Sequence, residues 1–146
     1  MDGAYGAFAA ALPGASSDDI ALSRAMAAAI DRHPQLELLT QALSITTFRY
    51  VPPDLRGRGD ADLVEAYLNE LNGALLEVLQ RSGELFVSNA VIRGRYALRA
   101  CVVNFHTDVG DVEAVPDIVC RHGAALDRER RPVALARAPQ LNSTER

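Results

Sequence analysis

The feature that most constrains the fold is the segment from Phe86 to Thr107, which reads FVSNAVIRGRYALRACVVNFHT. It contains two runs of strand character, 85–92 and 96–103, separated by a short stretch that includes Arg93-Gly94. A two-residue loop ending in glycine is typical of a tight β-hairpin turn. The segment therefore predicts an antiparallel hairpin that turns at this dipeptide.

One arginine, Arg99, lies inside the second run, where a charge is costly unless it has a partner. Because side chains alternate across a strand, Arg99 shares a face with Ala97 and Cys101. The turn sets the register and places Ser88 directly opposite Arg99. Two interpretations remain open: an arginine paired to an acid of its own chain or reaching an edge, or an anchor for a carboxylate or phosphate.

The rest of the chain supplies two more strands and three helices. Helical spacing of apolar residues predicts a helix within 16–34, a long helix that Asp60 caps and that ends before Gly83, and a third helix that runs to about Arg128. Thr107, Asp108 and Asp111 are candidate caps for the third helix. Short strand-like runs occupy 36–39 and 45–50. The order predicts an α+β fold, with a small, mainly antiparallel four-stranded sheet and helices packed on one face.

Neither face of the hairpin alternates cleanly with polar residues, so both faces are expected to be covered. The chain's own helices can cover one face. The face that carries Arg99 is expected to pack against a separate large domain or a second copy of the chain.

Length and composition limit the function classes. The 146 residues suit one domain, here 35–131, with a loose arm at 1–15, the linking helix at 16–34 and a frayed tail at 132–146. A net charge of −4 argues against a nucleic-acid partner. The chain shows no membrane span and no signal peptide, and its two cysteines do not form a disulfide framework, so a cytoplasmic location is expected.

The chain has no lysine: all 15 of its Lys and Arg residues are arginine. Arginine cannot act as an amine nucleophile, so no catalytic residue is predicted in this chain. Cys101, His106 and Asp108 are too few for a metal site, and nothing orients Ser88, His106 and Asp108 as a triad. No cofactor-binding or metal-binding residue is predicted.

Residues 17–131 resemble the C-terminal small domain of the pyridoxal-phosphate-dependent group II amino-acid decarboxylases. This family includes the aromatic-amino-acid, histidine, glutamate and diaminobutyrate decarboxylases. The resemblance is carried by DDIALSRAMAAAIDRHPQLELL, LSITTFRY, LNELNGALLEVLQRSGELFVSNAVIRGRYALRACVVNFHT and DVEAVPDIVCRHG. The most specific part is a run of spaced residues: Gly94, Tyr96, Leu98, Arg99, Cys101, Asn104 and Thr107.

The resemblance implies that Arg99, and possibly Ser88, binds the α-carboxylate of an amino-acid substrate. It also implies pyridoxal 5'-phosphate in the complete enzyme, where the cofactor ring accepts electrons as carbon dioxide leaves. The family's large domain, with its Schiff-base lysine, has no counterpart in these residues. The chain is therefore expected to be a fragment or split part of such a carboxy-lyase, inactive alone. The alternatives are a non-catalytic interaction module, such as a homodimer, and a gene remnant.

Overall fold

The computed structural model describes residues 17–58, 60–85, 87–101 and 109–136, with the side chains of Cys101 and Val109 left aside. Its helices are α1 (Ser17–Asp31), α2 (Ala61–Ser82), α3 (Val109–Glu113) and α4 (Val115–Arg130). Its strands are β1 (Leu36–Ala42), β2 (Ile45–Tyr50), β3 (Val87–Ile92) and β4 (Arg95–Cys101). The predicted α+β class is confirmed. The predicted arm at 1–15 lies outside the described residues.

The four strands form one antiparallel sheet in the order β1-β2-β4-β3. The hairpin prediction is confirmed, because β3 and β4 join at Arg93 and Gly94 with φ angles of 53° and 79°. Two successive positive φ angles define the type I′ turn that matches the twist of paired strands. The predicted register is also confirmed, since Ser88 pairs with Arg99.

Helices cover one face of this sheet. Phe48 and Leu98 pair across β2 and β4, and both side chains are fully buried on the helix-covered side. Ser23 of α1 bonds Thr46 of β2 through the two hydroxyls at 2.9 Å, which fixes α1 over the same face. The core therefore lies between the sheet and α1, α2 and α4.

Helix α2 is joined to the sheet by a buried amide as well as by its apolar stripe. Asn72 is fully buried; its Oδ1 accepts from the Tyr50 amide at 2.8 Å, and its Nδ2 donates to the Tyr50 carbonyl at 3.0 Å. The helix ends as predicted at Gly83, whose φ of 72° suits a residue without a side chain. Asp60 precedes the helix as predicted, but Arg58 binds its carboxylate at 2.8 Å, and it makes no side-chain cap bond.

The predicted third helix is two helices in the structure. The break falls at Ala114, and Pro116 lies in the first turn of α4, where its missing amide hydrogen costs little. Two residues considered as caps for this helix, Thr107 and Asp108, lie outside the described residues. Among the helices that the structure describes, none is long and apolar enough to cross a membrane.

The described chain continues past Arg131 as an ordered turn. The guanidinium of Arg131 donates to Asp127 at 2.6 Å and to Asp54 at 2.5 Å, and its side chain is 9% exposed. Leu135 follows in a short 3-10 turn and is fully buried. These contacts fasten residues 132–135 to the domain, although the sequence predicts fraying there. Residues 137–146 lie outside the described part.

Candidate functional site

Arg99 lies on the face of the sheet opposite the described helices, which we call the open face because none of those helices covers it. Its neighbours along β4, Leu98 and Ala100, point into the core, so Arg99 points the opposite way. Its side chain is half-buried, and its Nε donates a hydrogen bond to Ser88 Oγ at 2.9 Å. The structure thus brings together the two site residues that the sequence predicted.

The open face is more polar than the hairpin sequence alone indicates. We define it by the described residues whose side chains alternate away from the core: Glu37, Thr40, Ala42, Ile45, Thr47, Arg49, Ser88, Ala90, Ile92, Arg95, Ala97 and Arg99. Thr47 pairs with Arg99 on the other side from Ser88, and its Oγ1 lies 2.5 Å from that of Thr40. The polar character comes from β1 and β2, which hairpin alternation could not reveal.

Arg49 is the residue of this face that sequence reasoning missed. Its side chain is 4% exposed, and two carboxylates hold it: Glu37 accepts from Nε at 2.7 Å, and Glu65 accepts from Nη1 at 2.9 Å and Nη2 at 3.0 Å. Arg95 adds a second contact to Glu37 at 3.2 Å. We call Glu37, Arg49, Glu65 and Arg95 the charge cluster. The signal that could have identified Arg49 is the pairing of β1 with β2, which puts Glu37 opposite Arg49.

Opposing effects act on the pKa values of Arg49 and Glu65. Burial alone would lower the pKa of Arg49, but its bonds to Glu65 and Glu37 outweigh burial and raise that pKa above its usual value. The bond from Arg49 lowers the pKa of Glu65 below its usual value. Arg49 and Glu65 are therefore both ionised at neutral pH, and Arg49 serves to fasten β1, β2 and α2 together.

A cleft of about 300 Å³ opens beside the charge cluster, at the start of α2. Its lining includes Arg49, Glu65 and Arg95 but not Arg99. Arg99 is thus a side chain on an open sheet face rather than part of that cleft.

Several residues weighed for chemistry cannot be placed. Phe86, His106 and Asp108 lie outside the described residues, as does the side chain of Cys101. Across residues 17–58, 60–85, 87–101 and 109–136, no three His, Cys, Asp or Glu side chains converge as metal ligands. The described Cys120 is buried, and burial raises the pKa of its thiol to about 12, so it is a packing residue.

Comparisons with known proteins identify relatives of the chain. No protein-family profile matches it. Tyrosine decarboxylase 4 of Petroselinum crispum is 35% identical over 83 residues, which are 57% of this chain and 16% of that protein. The chain therefore matches about a sixth of that relative's length.

Solved structures share the fold. The crystal structure of Oryza sativa TDC with PLP aligns with 75% of this chain and 22% of its own, with a TM-score of 0.63 and 21% identity. The glutamate decarboxylase domain of a Vibrio parahaemolyticus protein aligns with 76% of this chain and 22% of its own, with a TM-score of 0.62 and 22% identity. Sequence relatives and fold together confirm that the chain resembles the C-terminal small domain of the pyridoxal-phosphate-dependent group II amino-acid decarboxylases.

Proposed function

We propose that this chain supplies Arg99 as the carboxylate-binding residue of an amino-acid decarboxylase whose active site another stretch of polypeptide completes. The observation that carries the proposal is the position of Arg99 on the open face, with its Nε bonded to Ser88. The named activity of the Petroselinum crispum relative supports the reaction class.

The chain's own residues do not fit covalent attachment of pyridoxal phosphate. That attachment needs a lysine amine, and the sequence contains none. In the proposal, the cofactor and its lysine therefore belong to the complementary polypeptide. The part left to this chain is to bind and orient one end of the substrate.

Ser88 gives Arg99 a defined orientation for that task. A carboxylate binds arginine best through two parallel N–H···O bonds. The bond from Nε to Ser88 Oγ holds the plane of the guanidinium in a fixed orientation relative to the sheet. A guanidinium held this way fixes the carboxylate plane and the direction of the bond that breaks.

Exposure to water determines how much free energy a contact between Arg99 and a carboxylate contributes. A solvent-exposed arginine–carboxylate pair contributes only about 0–1 kcal/mol. The same pair is stronger once water is excluded, since the local dielectric constant falls. The proposal therefore requires that a complementary polypeptide cover the open face around Arg99.

The test is a chimeric enzyme. In Petroselinum tyrosine decarboxylase 4, this full chain replaces the matched segment, and carbon dioxide release from carboxyl-labelled tyrosine is measured. We expect Arg99→Ala to lower kcat/KM about 100-fold or more, the equivalent of about 2.7 kcal/mol, and Arg99→Lys to recover only part of it. The matched control is Arg81→Ala, because Arg81 is 75% exposed on α2. Retained activity in Arg99→Ala, or a cofactor-loaded chimera that releases no carbon dioxide, would contradict the proposal.

A further inference from the structure

Within its described residues, the outer edge of β3 lacks the charge, proline and bulge that usually keep sheet edges from pairing. Its six residues, Val87–Ile92, read VSNAVI and include no charged residue and no proline. All six pair with β4 in one unbroken register, so no bulge twists this edge away. Natural edge strands are normally protected by charge, proline or bulges.

The opposite edge of the sheet has such protection. Strand β1 carries Glu37, and its register shifts between Leu38 and Thr40. An irregular, charged edge is a poor template for another strand. The uncharged, regular edge of β3 is therefore better suited than the edge of β1 to pair with another strand.

The turn geometry shows which backbone groups point outward from β3. Ile92 and Arg95 flank the two-residue turn and form its hydrogen-bonded pair. Alternation then directs the N–H and C=O groups of Val91, Asn89 and Val87 away from β4. Gln80 of α2 donates to the Val87 carbonyl at 3.1 Å, which confirms that direction.

The exposed side chains lie at the same place. Val91 is 63% exposed and is one of four exposed large hydrophobic residues in the described part of the chain; Asn89 is exposed as well. Both side chains are on the face of the sheet that packs against the helices, but the helices do not cover them. An exposed valine beside outward backbone donors and acceptors suits the edge of another strand.

We propose that β3 is a docking edge for a second copy of this chain, whose own β3 adds to it antiparallel. An axis through Asn89 pairs Val87 of each copy with Val91 of the other and makes about six main-chain hydrogen bonds, two of which require the Val87 carbonyls to accept a second donor or to release Gln80. Every paired residue within the strand is uncharged, so like charges do not meet.

The residues that flank β3 complement one another across the same axis. Arg93 follows the strand, Glu84 precedes it, and this register brings Arg93 of one copy beside the segment 84–85 of the other. Glu84 already accepts from Arg121 at 2.6 Å. The added charge contact therefore favours the antiparallel direction more than it strengthens the pairing.

Such pairing produces a closed dimer. It consumes both β3 edges and leaves only the two irregular β1 edges at the ends of an eight-stranded sheet. The twofold axis is perpendicular to the sheet, so both open faces, each with its Arg99, lie on the same side. The inference stands on the edge strand alone and does not depend on the proposed enzyme activity.

Light scattering after size-exclusion chromatography tests the dimer on the full chain, from about 1 to about 200 µM, a range that brackets micromolar affinities. We expect a mass of twice 15.7 kDa. Val91→Lys places a charge on the edge, and Asn89→Pro removes an outward N–H without removing a bond to β4; each should weaken dimerisation at least about tenfold. The matched controls are Leu63→Lys, at a 44% exposed position on α2, and Asn89→Ser.

Circular dichroism checks that the variants fold, and hydrogen exchange of the wild type gives a reading that needs no variant. We expect the amides of Asn89 and Val91 to exchange more slowly as the protein concentration rises. The proposal is overturned by a wild type that stays monomeric at about 200 µM, by dimers that survive in folded Val91→Lys and Asn89→Pro, or by edge amides whose exchange is independent of concentration.

Discussion

Ser88 and Arg99 face each other across the β3–β4 ladder, and the arginine Nε donates to the serine Oγ at 2.9 Å. The bond ties the orientation of the guanidinium to a residue on the neighbouring strand. In the proposed enzyme, Ser88 is therefore a positioning residue that acts through Arg99.

Ser88→Ala should lower kcat/KM of the chimeric enzyme about tenfold, because a hydrogen bond to a charged group contributes about 1.5–3 kcal/mol. Ser88→Thr retains the hydroxyl and should restore most of the activity. Steady-state kinetics with tyrosine separates kcat from KM, and Ser82→Ala is the control for loss of a serine hydroxyl that bonds only local backbone. Equal activity of Ser88→Ala and wild type would remove the positioning role.

Arg49→Met should destabilise the domain by about 2–4 kcal/mol, since it removes the buried cation between Glu37 and Glu65 and leaves them only the more exposed Arg95. The expected cost is below that of a fully buried pair, because the two glutamates are 29% and 40% exposed and can regain water. Urea unfolding measures the change, and Arg81→Ala should stay within about 0.5 kcal/mol of wild type. A loss below about 1 kcal/mol would show that the charge cluster is not a fastening point.

Acid should weaken the domain through Glu65, whose pKa is lowered in the folded state by its bond from Arg49. A lowered folded-state pKa adds stability that is present above the usual value of 4.5 and is lost as pH falls through the folded value. The urea midpoint should therefore fall below about pH 4.5, and Glu65→Gln should reduce that fall. In the Arg49→Met background, Glu65→Gln should have little further effect on how steeply the urea midpoint falls with pH. If the urea midpoint of Glu65→Gln falls with pH as steeply as that of the wild type, Glu65 is not the group through which acid weakens the domain.

Two helical glycines should respond to alanine with opposite signs. A Cβ on Gly123 would lie 2.7 Å from the Tyr50 ring, whereas one on Gly73 would meet only Tyr96 at 3.9 Å. Gly73→Ala should stabilise the fold by about 0.5–1 kcal/mol through helix propensity. Gly123→Ala should destabilise it by about 1–3 kcal/mol, because the ring must shift within the core. Thermal and urea unfolding of the Gly73→Ala and Gly123→Ala variants measure the two changes. Stabilisation by Gly123→Ala as well as by Gly73→Ala would show that the contact between α4 and β2 is looser than described.

The hairpin shows how much a sequence can determine by local rules. Arg93-Gly94 fixes a two-residue turn, the turn fixes the register, and the register places Ser88 opposite Arg99. Each step depends on residues close in the chain, which is why the face of Arg99 could be predicted.

The charge cluster shows where local rules end. Arg49 and Glu65 are 16 residues apart, and they meet only because the start of α2 packs beside the end of β2. The sheet order, which puts β4 between β2 and β3, is likewise a result of packing that strand patterns do not encode. The break at Ala114 escaped prediction because apolar spacing continues through it.

The most direct test of a carboxylate-binding Arg99 compares two ligands that differ by one carboxylate. In the cofactor-loaded chimera, rapid mixing gives the dissociation constant of tyrosine before turnover and that of its decarboxylated amine, with the wild-type residue, with Arg99→Ala and with the Arg81→Ala control. We predict that the wild type prefers the amino acid about 100-fold and that Arg99→Ala abolishes most of this preference while its affinity for the amine stays within about threefold. A preference that survives in Arg99→Ala would contradict the account.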